Sequence, residues 1–285
     1  MFEGWYIKTR EPEETIWLIK GYEHPEDGYI SVPYMVSGKR ISAHNFLLYT
    51  PRKFLRYLDC VGRLVPVIPK NEAVRSFNPE KVYKRRRREL PKQITELIDY
   101  LDPEYVGLTG SWALGVESER SDVDLLLYGN NKEIYARLIE LKETGRIKQC
   151  DDRRFEKVSD TFNYSTYRLL SNVRVLDSCY KGVAYTIRIL RDICSKKCHS
   201  IYTEQKAFNN EIEIFDNEER YLTPSTYKVV SGGNKMELVT WHTRFSELPL
   251  GKYSFAGTIQ LDKARRKSII SPDLGGKLEP IEIRA

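Results

Sequence analysis

The sequence lacks any long apolar stretch that could cross a membrane. Among its 285 residues, no window approaches the roughly eighteen uncharged apolar residues that a spanning helix needs. The first residues include the acidic Glu3 and lack the basic and apolar runs of a signal peptide. We therefore expect a cytoplasmic protein with no membrane association.

Cysteine is scarce as well, and the five cysteines are odd in number and scattered. A secreted disulfide framework is typically even and clustered, so we expect reduced thiols. Cys194, Cys198 and His199 resemble half of a metal site, but Cys150 and Cys179 do not supply the second pair that structural zinc requires. The histidines show no spacing that suggests catalysis, and structural roles are expected for all four: His24, His44, His199 and His242.

The charge is unevenly distributed. Lysine and arginine number 46 against 40 acidic residues, and the net charge of +6 lies within residues 1–90. Much of that excess is one run, Lys84-Arg85-Arg86-Arg87-Arg88. Such a run can pair with nucleic-acid phosphates and release counterions. The alternative is a solvated helix face or connector, as most charge runs are.

The pattern of residue types predicts three parts. Residues 1–90 are expected to form a basic N-terminal α/β domain that is rich in strands. Residues 91–200 predict a domain with a mixed sheet and flanking helices. In residues 201–285, short alternating runs separated by turns predict a small antiparallel β-barrel or a sandwich, and we favour the barrel. The predicted fold class is α+β.

Individual elements follow from periodicity and turn residues. Apolar residues recur with helical spacing after Pro91, and two strand-like runs meet at Lys181-Gly182, which predicts a hairpin. The predicted elements are strands over 15–20 and 29–34, a short helix over 52–58, a helix over 91–101, strands over 105–109 and 123–128, a helix over 132–143, and a hairpin over 173–190.

One segment of the central part carries the chemistry. Gly110 and Ser111 follow a predicted strand and open a predicted helix, which places backbone N–H groups and a hydroxyl where a phosphate oxygen can bind. Asp122 and Asp124 lie two residues apart on the next strand, so both side chains point to one face. Converging carboxylates repel unless a cation lies between them, and Mg²⁺ or Mn²⁺ is a suitable hard cation. The alternative is that they serve only as a cap and as backbone acceptors.

This arrangement, Gly110-Ser111 followed by Asp122-x-Asp124, resembles the nucleotidyltransferase signature of the DNA polymerase β superfamily. That superfamily includes CCA-adding enzymes, poly(A) polymerases and aminoglycoside nucleotidyltransferases. Within it, the chain is most similar to a group of archaeal predicted nucleotidyltransferases, over most of its length. The outer segments that carry the likeness are Glu3-Gly4-x-Tyr6-Ile7, Ile19-Lys20-Gly21-x-x-His24-Pro25, Tyr180-Lys181-Gly182-x-x-Tyr185-x-Ile187-Arg188 and Leu222-Thr223-Pro224.

The resemblance implies a two-metal phosphoryl transfer from a nucleoside triphosphate (NTP) to an acceptor, with release of pyrophosphate. Asp122 and Asp124 would bind Mg²⁺ or Mn²⁺, and Gly110 and Ser111 would hold the β- and γ-phosphates. The arginine run and the barrel favour RNA, including tRNA, as the acceptor, with Lys84–Arg88 contacting its backbone.

The sequence departs from the superfamily at one position. A third carboxylate is expected on a later strand, where the resemblance places Ala184 or Thr186, and neither is acidic. Asp177, on the facing strand of the predicted hairpin, is the candidate replacement, the alternative being a surface or turn-adjacent aspartate. Arg188 is a candidate contact to a phosphate or base. A degenerate module that binds nucleotide or nucleic acid with weak or no catalysis is the alternative function, and transfer to a protein is a third.

Overall fold

The computed structural model describes residues 1–11, 14–41, 43–150, 153–156, 158–159 and 161–284, with backbone only for 43–45 and 153–154. The expectation for His44 lies outside the described side chains. Strands hold 43% of the residues and helices 23%, so sheets dominate the molecule. The predicted α+β class holds at the level of mixed sheets combined with helices.

The first part of the chain forms a sheet in the order β6-β7-β4-β2-β1-β8, with β5 added to β4. Its strands are β1 (Tyr6–Thr9), β2 (Thr15–Ile19), β4 (Gly28–Val36), β5 (Lys39–Arg40), β6 (Leu55–Leu58), β7 (Arg63–Pro69) and β8 (Arg75–Phe77). The short strand β3 (Glu23–His24) lies outside this sheet and pairs with Lys196–Lys197. The predicted strands over 15–20 and 29–34 are confirmed. The predicted helix over 52–58 is wrong, because Leu55–Leu58 pairs with β7 and only Arg52–Phe54 forms a 3₁₀ turn.

The middle of the chain contains the helices and a mixed sheet in the order β11-β12-β13-β10-β9. Strands β10 and β13 are parallel, and their outer neighbours are antiparallel to them. The elements are α1 (Pro79–Arg86), α2 (Lys92–Leu101), β9 (Tyr105–Thr109), α3 (Gly110–Leu114), β10 (Val123–Tyr128), α4 (Asn131–Glu143), β11 (Ile147–Lys148), α5 (Arg153–Glu156), α6 (Tyr164–Ser171), β12 (Asp177–Tyr180), β13 (Val183–Leu190) and β14 (Lys196–Lys197).

The two faces of this mixed sheet differ in chemistry. Val123, Leu125 and Leu127 of β10 belong to the largest apolar core, together with the predicted apolar stripe of α2 and the buried residues of α4. Because side chains alternate along a strand, Asp124 points to the opposite face. Helices α2 and α4 therefore cover one face. The opposite face, called the polar face below, carries Asp124 and also Leu126, which packs in a small apolar cluster with Phe2, Tyr105 and Leu190.

The last part of the chain forms a closed barrel in the order β15-β17-β18-β20-β19-β15. Its elements are β15 (Lys206–Glu219), β16 (Leu222–Thr223), β17 (Ser225–Ser231), β18 (Asn234–Thr240), β19 (Gly251–Asp262), β20 (Lys267–Ser271) and β21 (Lys277–Ile283). The predicted barrel is present, but β18 and β20 pair in parallel, so the expectation of a wholly antiparallel barrel is wrong. Two register shifts bend the long strand β15 where it pairs with β17.

The three parts are joined through shared packing. The largest apolar core includes Tyr6, Ile94 and Tyr221, which come from three different parts of the chain. Strand β16 leaves the barrel region and pairs with β13 of the mixed sheet. The described residues include no helix with the length and apolar character needed to cross a membrane.

The expectation of reduced thiols is wrong for four of the five cysteines, all of which lie in described ranges. Disulfides join Cys60 to Cys198 and Cys150 to Cys179, with Cα–Cα distances of 5.5 and 5.2 Å, and only Cys194 is free. The pairs are 138 and 29 residues apart, so spacing alone did not reveal them. Since Cys198 bonds to Cys60, it does not form a metal site with Cys194.

Thiol titration tests this pairing. The unfolded, unreduced protein should react with a thiol reagent at Cys194 alone, and all five cysteines should react after reduction. Because the Cys60–Cys198 bond closes a long loop, its removal by Cys60→Ser should lower the free energy of unfolding by about 2–5 kcal/mol. Thermal unfolding of the variant measures the loss, with Cys194→Ser as the control. Five reactive thiols before reduction would contradict the pairing.

Candidate functional site

Three aspartates converge on the polar face of the mixed sheet. Asp124 on β10 lies opposite Thr186 on β13, and Thr186 lies opposite Asp177 on β12. The Thr186 hydroxyl is 3.1 Å from Asp177 Oδ1 and 3.3 Å from Asp122 Oδ2. Thr186, one of the two positions where the resemblance implied a third acid, thus holds a hydroxyl that links two carboxylates, and Asp177 lies opposite it on the neighbouring strand.

Gly110 lies against one of these carboxylates. Its φ is +69°, and a Cβ built there would lie 1.8 Å from Asp124 Oδ2. Any side chain at this position would therefore collide with the carboxylate as well as strain the backbone. Gly110 and Ser111, called the Gly-Ser corner below, therefore lie beside Asp124, the second aspartate of the motif, as the sequence predicts.

The N-terminal chain supplies a tyrosine to the same corner. The Tyr6 hydroxyl accepts hydrogen bonds from the Gly110 N–H at 2.9 Å and from Thr109 Oγ1 at 3.0 Å. Burial, together with the charge of Asp124, raises the pKa of Tyr6, so its hydroxyl stays neutral at physiological pH. The Gly110 N–H, predicted to meet a phosphate, is engaged by Tyr6. Ser111 is buried in the first turn of α3, a helix of only five residues that begins at Gly110.

A buried ion cluster lies on the same side of the sheet. The Glu3 carboxylate is fully buried and accepts hydrogen bonds from Lys20 Nζ at 2.7 Å, Arg188 at 2.8 Å and the Gly21 N–H at 2.7 Å. Burial alone would raise the pKa of Glu3, but the two cations outweigh burial and hold the pKa below its ordinary value of 4.5. While Lys20 is protonated, the two cations and the carboxylate carry a net charge of +1. Burial lowers the pKa of Lys20, and the charge of Glu3 opposes that shift.

Of this cluster, only Arg188 was predicted as a site residue from the sequence. The missed residues, Glu3 and Lys20, occur in the outer segments Glu3-Gly4 and Lys20-Gly21, each beside a glycine. A charged residue directly before a glycine in both segments is the sequence signal that could have identified Glu3 and Lys20.

The aspartates and the cations face one large cavity of about 1450 Å³ between the first sheet, the mixed sheet and the barrel. The side chains that line it include Asp122, Asp124, Asp177, Thr186, Lys20 and Arg188. The cavity is large enough for a nucleotide, since pockets for small molecules are commonly about 300–1000 Å³. It combines negative charge at the aspartates with positive charge at Lys20 and Arg188.

The fit of a metal ion can be judged from the donor set. Within the described ranges, no group of three or more His, Cys, Asp or Glu side chains is arranged to hold a metal ion. Mg²⁺ is usually held by one or two carboxylates together with water and substrate phosphates. Asp122 and Asp124 offer hard oxygen ligands of this kind, so they fit a magnesium ion whose coordination a substrate completes.

The arginine run is mostly paired with acidic side chains. The ion pairs are Lys84 with Glu80, Arg86 with Glu89 and Glu117, and Arg87 with Asp99. Arg86 also donates to the Trp112 carbonyl, so it fixes the segment that follows the Gly-Ser corner. Arg85 and Arg88 are exposed.

Among the residues that the structure describes, no hydrogen bond joins a histidine side chain to Asp122, Asp124 or Asp177. His24 accepts the Ile30 N–H at Nδ1 over 3.2 Å, and burial lowers the pKa of His24 to about 4. This neutral, buried ring fits the structural role expected for it.

Known proteins add nothing to this picture. No protein-family model, curated protein or solved structure matches the chain. A functional assignment therefore depends on the residues and geometry of the site.

Two glycine variants test the close approach at the corner. Gly110 and Gly145 have nearly the same φ, +69° and +72°, but a Cβ at Gly145 would meet nothing within 4 Å. Gly145→Ala should cost about 1 kcal/mol from backbone strain alone, and Gly110→Ala about 2–4 kcal/mol because Asp124 must also move. Denaturant unfolding measures both losses. Equal losses would show that Asp124 does not lie against Gly110.

Glu3→Gln tests the buried cluster. The variant leaves two adjacent cations without a counter-charge, and it should lose about 2–4 kcal/mol of unfolding free energy at pH 7. Because the pKa of folded Glu3 is lowered, its contribution is complete above pH 4.5 and is lost as the pH falls below that value. Unfolding curves across this range should converge for the wild type and the variant. Curves that stay equally separated down to low pH would contradict the assignment, and Glu14→Gln, at the exposed partner of Lys8, is the control.

Proposed function

We propose that the chain is a magnesium-dependent nucleotidyltransferase whose middle part has the fold of the DNA polymerase β superfamily. The observation that supports this most strongly is the convergence of Asp122, Asp124 and Asp177 around Thr186 on one face of a mixed sheet. Helices cover the other face of the sheet. Carboxylates grouped on one face of a sheet beside a cavity are an arrangement that suits the binding of a hard cation such as Mg²⁺.

The charges around the cavity favour a triphosphate as the ligand. Lys20 and Arg188 are held side by side by Glu3, so they are preorganised to receive phosphate oxygens. Asp122 and Asp124 would hold Mg²⁺ or Mn²⁺, which neutralises charge on the triphosphate and polarises the reacting phosphorus. Gly110 lines the cavity where the phosphates would pass, and Ser111 is buried beside it.

The proposed reaction transfers a nucleoside monophosphate. The oxygen of an acceptor hydroxyl attacks the α-phosphorus of the NTP, and a new P–O bond forms as the bond between the α-phosphorus and the bridging oxygen breaks. Pyrophosphate leaves with that electron pair. We assign the acceptance of the hydroxyl proton to Asp177, and the support for this is that it lies opposite Thr186 on the same face of the sheet.

RNA is the proposed acceptor, and the barrel supports this choice. Small closed barrels of five strands include the oligonucleotide-binding folds, although a fold alone offers only analogy. The barrel also lines the cavity, through strand residues such as Glu237 of β18 and Gln260 of β19. A cytoplasmic location, where NTPs and RNA occur together, belongs to this proposal.

A second candidate function is nucleotide binding without efficient transfer. Two observations favour it: the Gly110 N–H is engaged by Tyr6, and the described residues contain no group of three side chains arranged for a metal. Such a module would bind NTP through Lys20 and Arg188 and respond to the nucleotide instead of consuming it.

Labelled NTPs distinguish the two candidates. The protein is incubated with each α-labelled NTP, Mg²⁺ or Mn²⁺, and cellular RNA, and we expect label in RNA. Asp124→Asn should lower the rate by at least about a hundredfold, whereas Asp99→Asn, at an exposed aspartate paired with Arg87, should leave it unchanged. Asp177→Asn should slow transfer by about a hundredfold and retain NTP binding.

Each outcome of this experiment supports one candidate function and contradicts another. Metal-dependent NTP binding with no label on any acceptor would support the binding module and contradict the transferase. Label on protein instead of RNA would retain the reaction and replace the acceptor.

A further inference from the structure

A second, smaller pocket lies away from the aspartates, where β8 leads into α1. Its volume is about 290 Å³, and its lining includes Trp5, Phe77, Arg75, Lys81 and Arg85. Three of these side chains are cationic, and no carboxylate lines the pocket among the residues that the structure describes. The large cavity differs in this respect, because acidic and basic side chains both line it.

The three cations of the small pocket are not balanced by acids. Across the described ranges, no ion pair joins Arg75, Lys81 or Arg85 to a carboxylate, although Lys84 on the same helix pairs with Glu80. Lys81 and Arg85 are four residues apart on α1, so they lie on one face of the helix and repel each other. Arg75 adds a third charge from β8. An anion in the pocket would remove this repulsion.

The walls of the pocket also suit a polar anionic ligand. Trp5 lines the pocket, and its indole nitrogen, which has no hydrogen-bond partner in the part of the chain that the structure describes, is buried and not exposed to solvent. The Arg75 guanidinium lies 4.8 Å from the centre of the Phe77 ring, which limits its orientation. Asn78 already caps the helix by accepting the N–H groups of Glu80 and Lys81. Any anion would therefore be held by side chains and not by the end of the helix.

We propose that this pocket binds a phosphate group. Arginine offers paired N–H donors that match phosphate oxygens, and lysine adds a mobile point charge. The group can come from the backbone of a nucleic acid strand or from a small phosphorylated molecule. In either case, the arginine run contributes one residue to the site, Arg85, and the phosphate contacts expected of Lys84, Arg86 and Arg87 shift to Arg75 and Lys81. The proposal uses none of the aspartates and is independent of the proposed transferase activity.

Binding of a fluorescent single-stranded RNA to the full chain, without NTP or metal, tests the nucleic-acid source. Arg75→Ala and Lys81→Ala should each weaken binding by about fivefold and reduce the slope of log affinity against log salt by about 0.7. Lys84→Ala removes a neighbouring cation that is paired with Glu80, so it should leave affinity and slope nearly unchanged. Circular dichroism confirms that the variants fold.

Inorganic phosphate tests the small-molecule source. In a ¹⁵N-labelled protein, phosphate should shift the Trp5 indole resonance, which Trp5→Phe identifies, and Arg75→Ala should abolish the shift while Lys84→Ala retains it. If phosphate shifts the Trp5 resonance but Arg75→Ala and Lys81→Ala do not weaken RNA binding, the ligand is a small phosphorylated molecule. Dependence of RNA binding on Arg75 and Lys81 supports a nucleic acid strand. The proposal is overturned if neither probe distinguishes Arg75→Ala from Lys84→Ala.

Discussion

The molecule depends on holding like charges together on one face of a sheet. Asp122, Asp124 and Asp177 lie on one face although carboxylates repel, and the Thr186 hydroxyl donates to two of them. Their strands are anchored from behind by apolar side chains of β10, α2 and α4, which are almost completely buried. Burial of that apolar face offsets the repulsion on the other. Site and core are therefore two sides of the same strands.

The N-terminal chain completes this arrangement. Tyr6 hydrogen-bonds the Gly110 N–H, and Glu3 fixes Lys20 beside Arg188. Both interactions cross the boundary between the first part of the chain and the middle part. The first sheet is thus part of the site and not an appendage to it, which explains why the cavity has walls from all three parts.

Local patterns in the sequence account for much of the fold. Helix α2 follows from its apolar stripe, and the turn of the hairpin follows from Lys181 and Gly182, both of which adopt positive φ. The juxtaposition of Gly110 with Asp124 also follows, because strand, corner and strand are consecutive in the sequence. In these cases the information lies within a few residues of the element.

The features that escaped prediction are contacts between distant residues. Glu3 and Arg188 are 185 positions apart, and Cys60 and Cys198 are 138 apart. The acids that engage the arginine run come partly from other segments, such as Glu117 and Asp99. The helix expected over 52–58 became a strand because β7 offered a partner edge. Periodicity describes one segment at a time. It therefore does not indicate which distant residues pair with each other.

The burial of the first residues has a consequence for proteolysis. Phe2, Glu3 and Tyr6 are all inaccessible in the folded protein, so a protease would reach them only after the segment had opened. A cut after Tyr6 would remove in one event the hydroxyl that engages the Gly110 N–H and the carboxylate that holds two cations together. Trimming at this end would thus act on the cavity directly, whereas trimming of the exposed Arg284 would leave its walls intact.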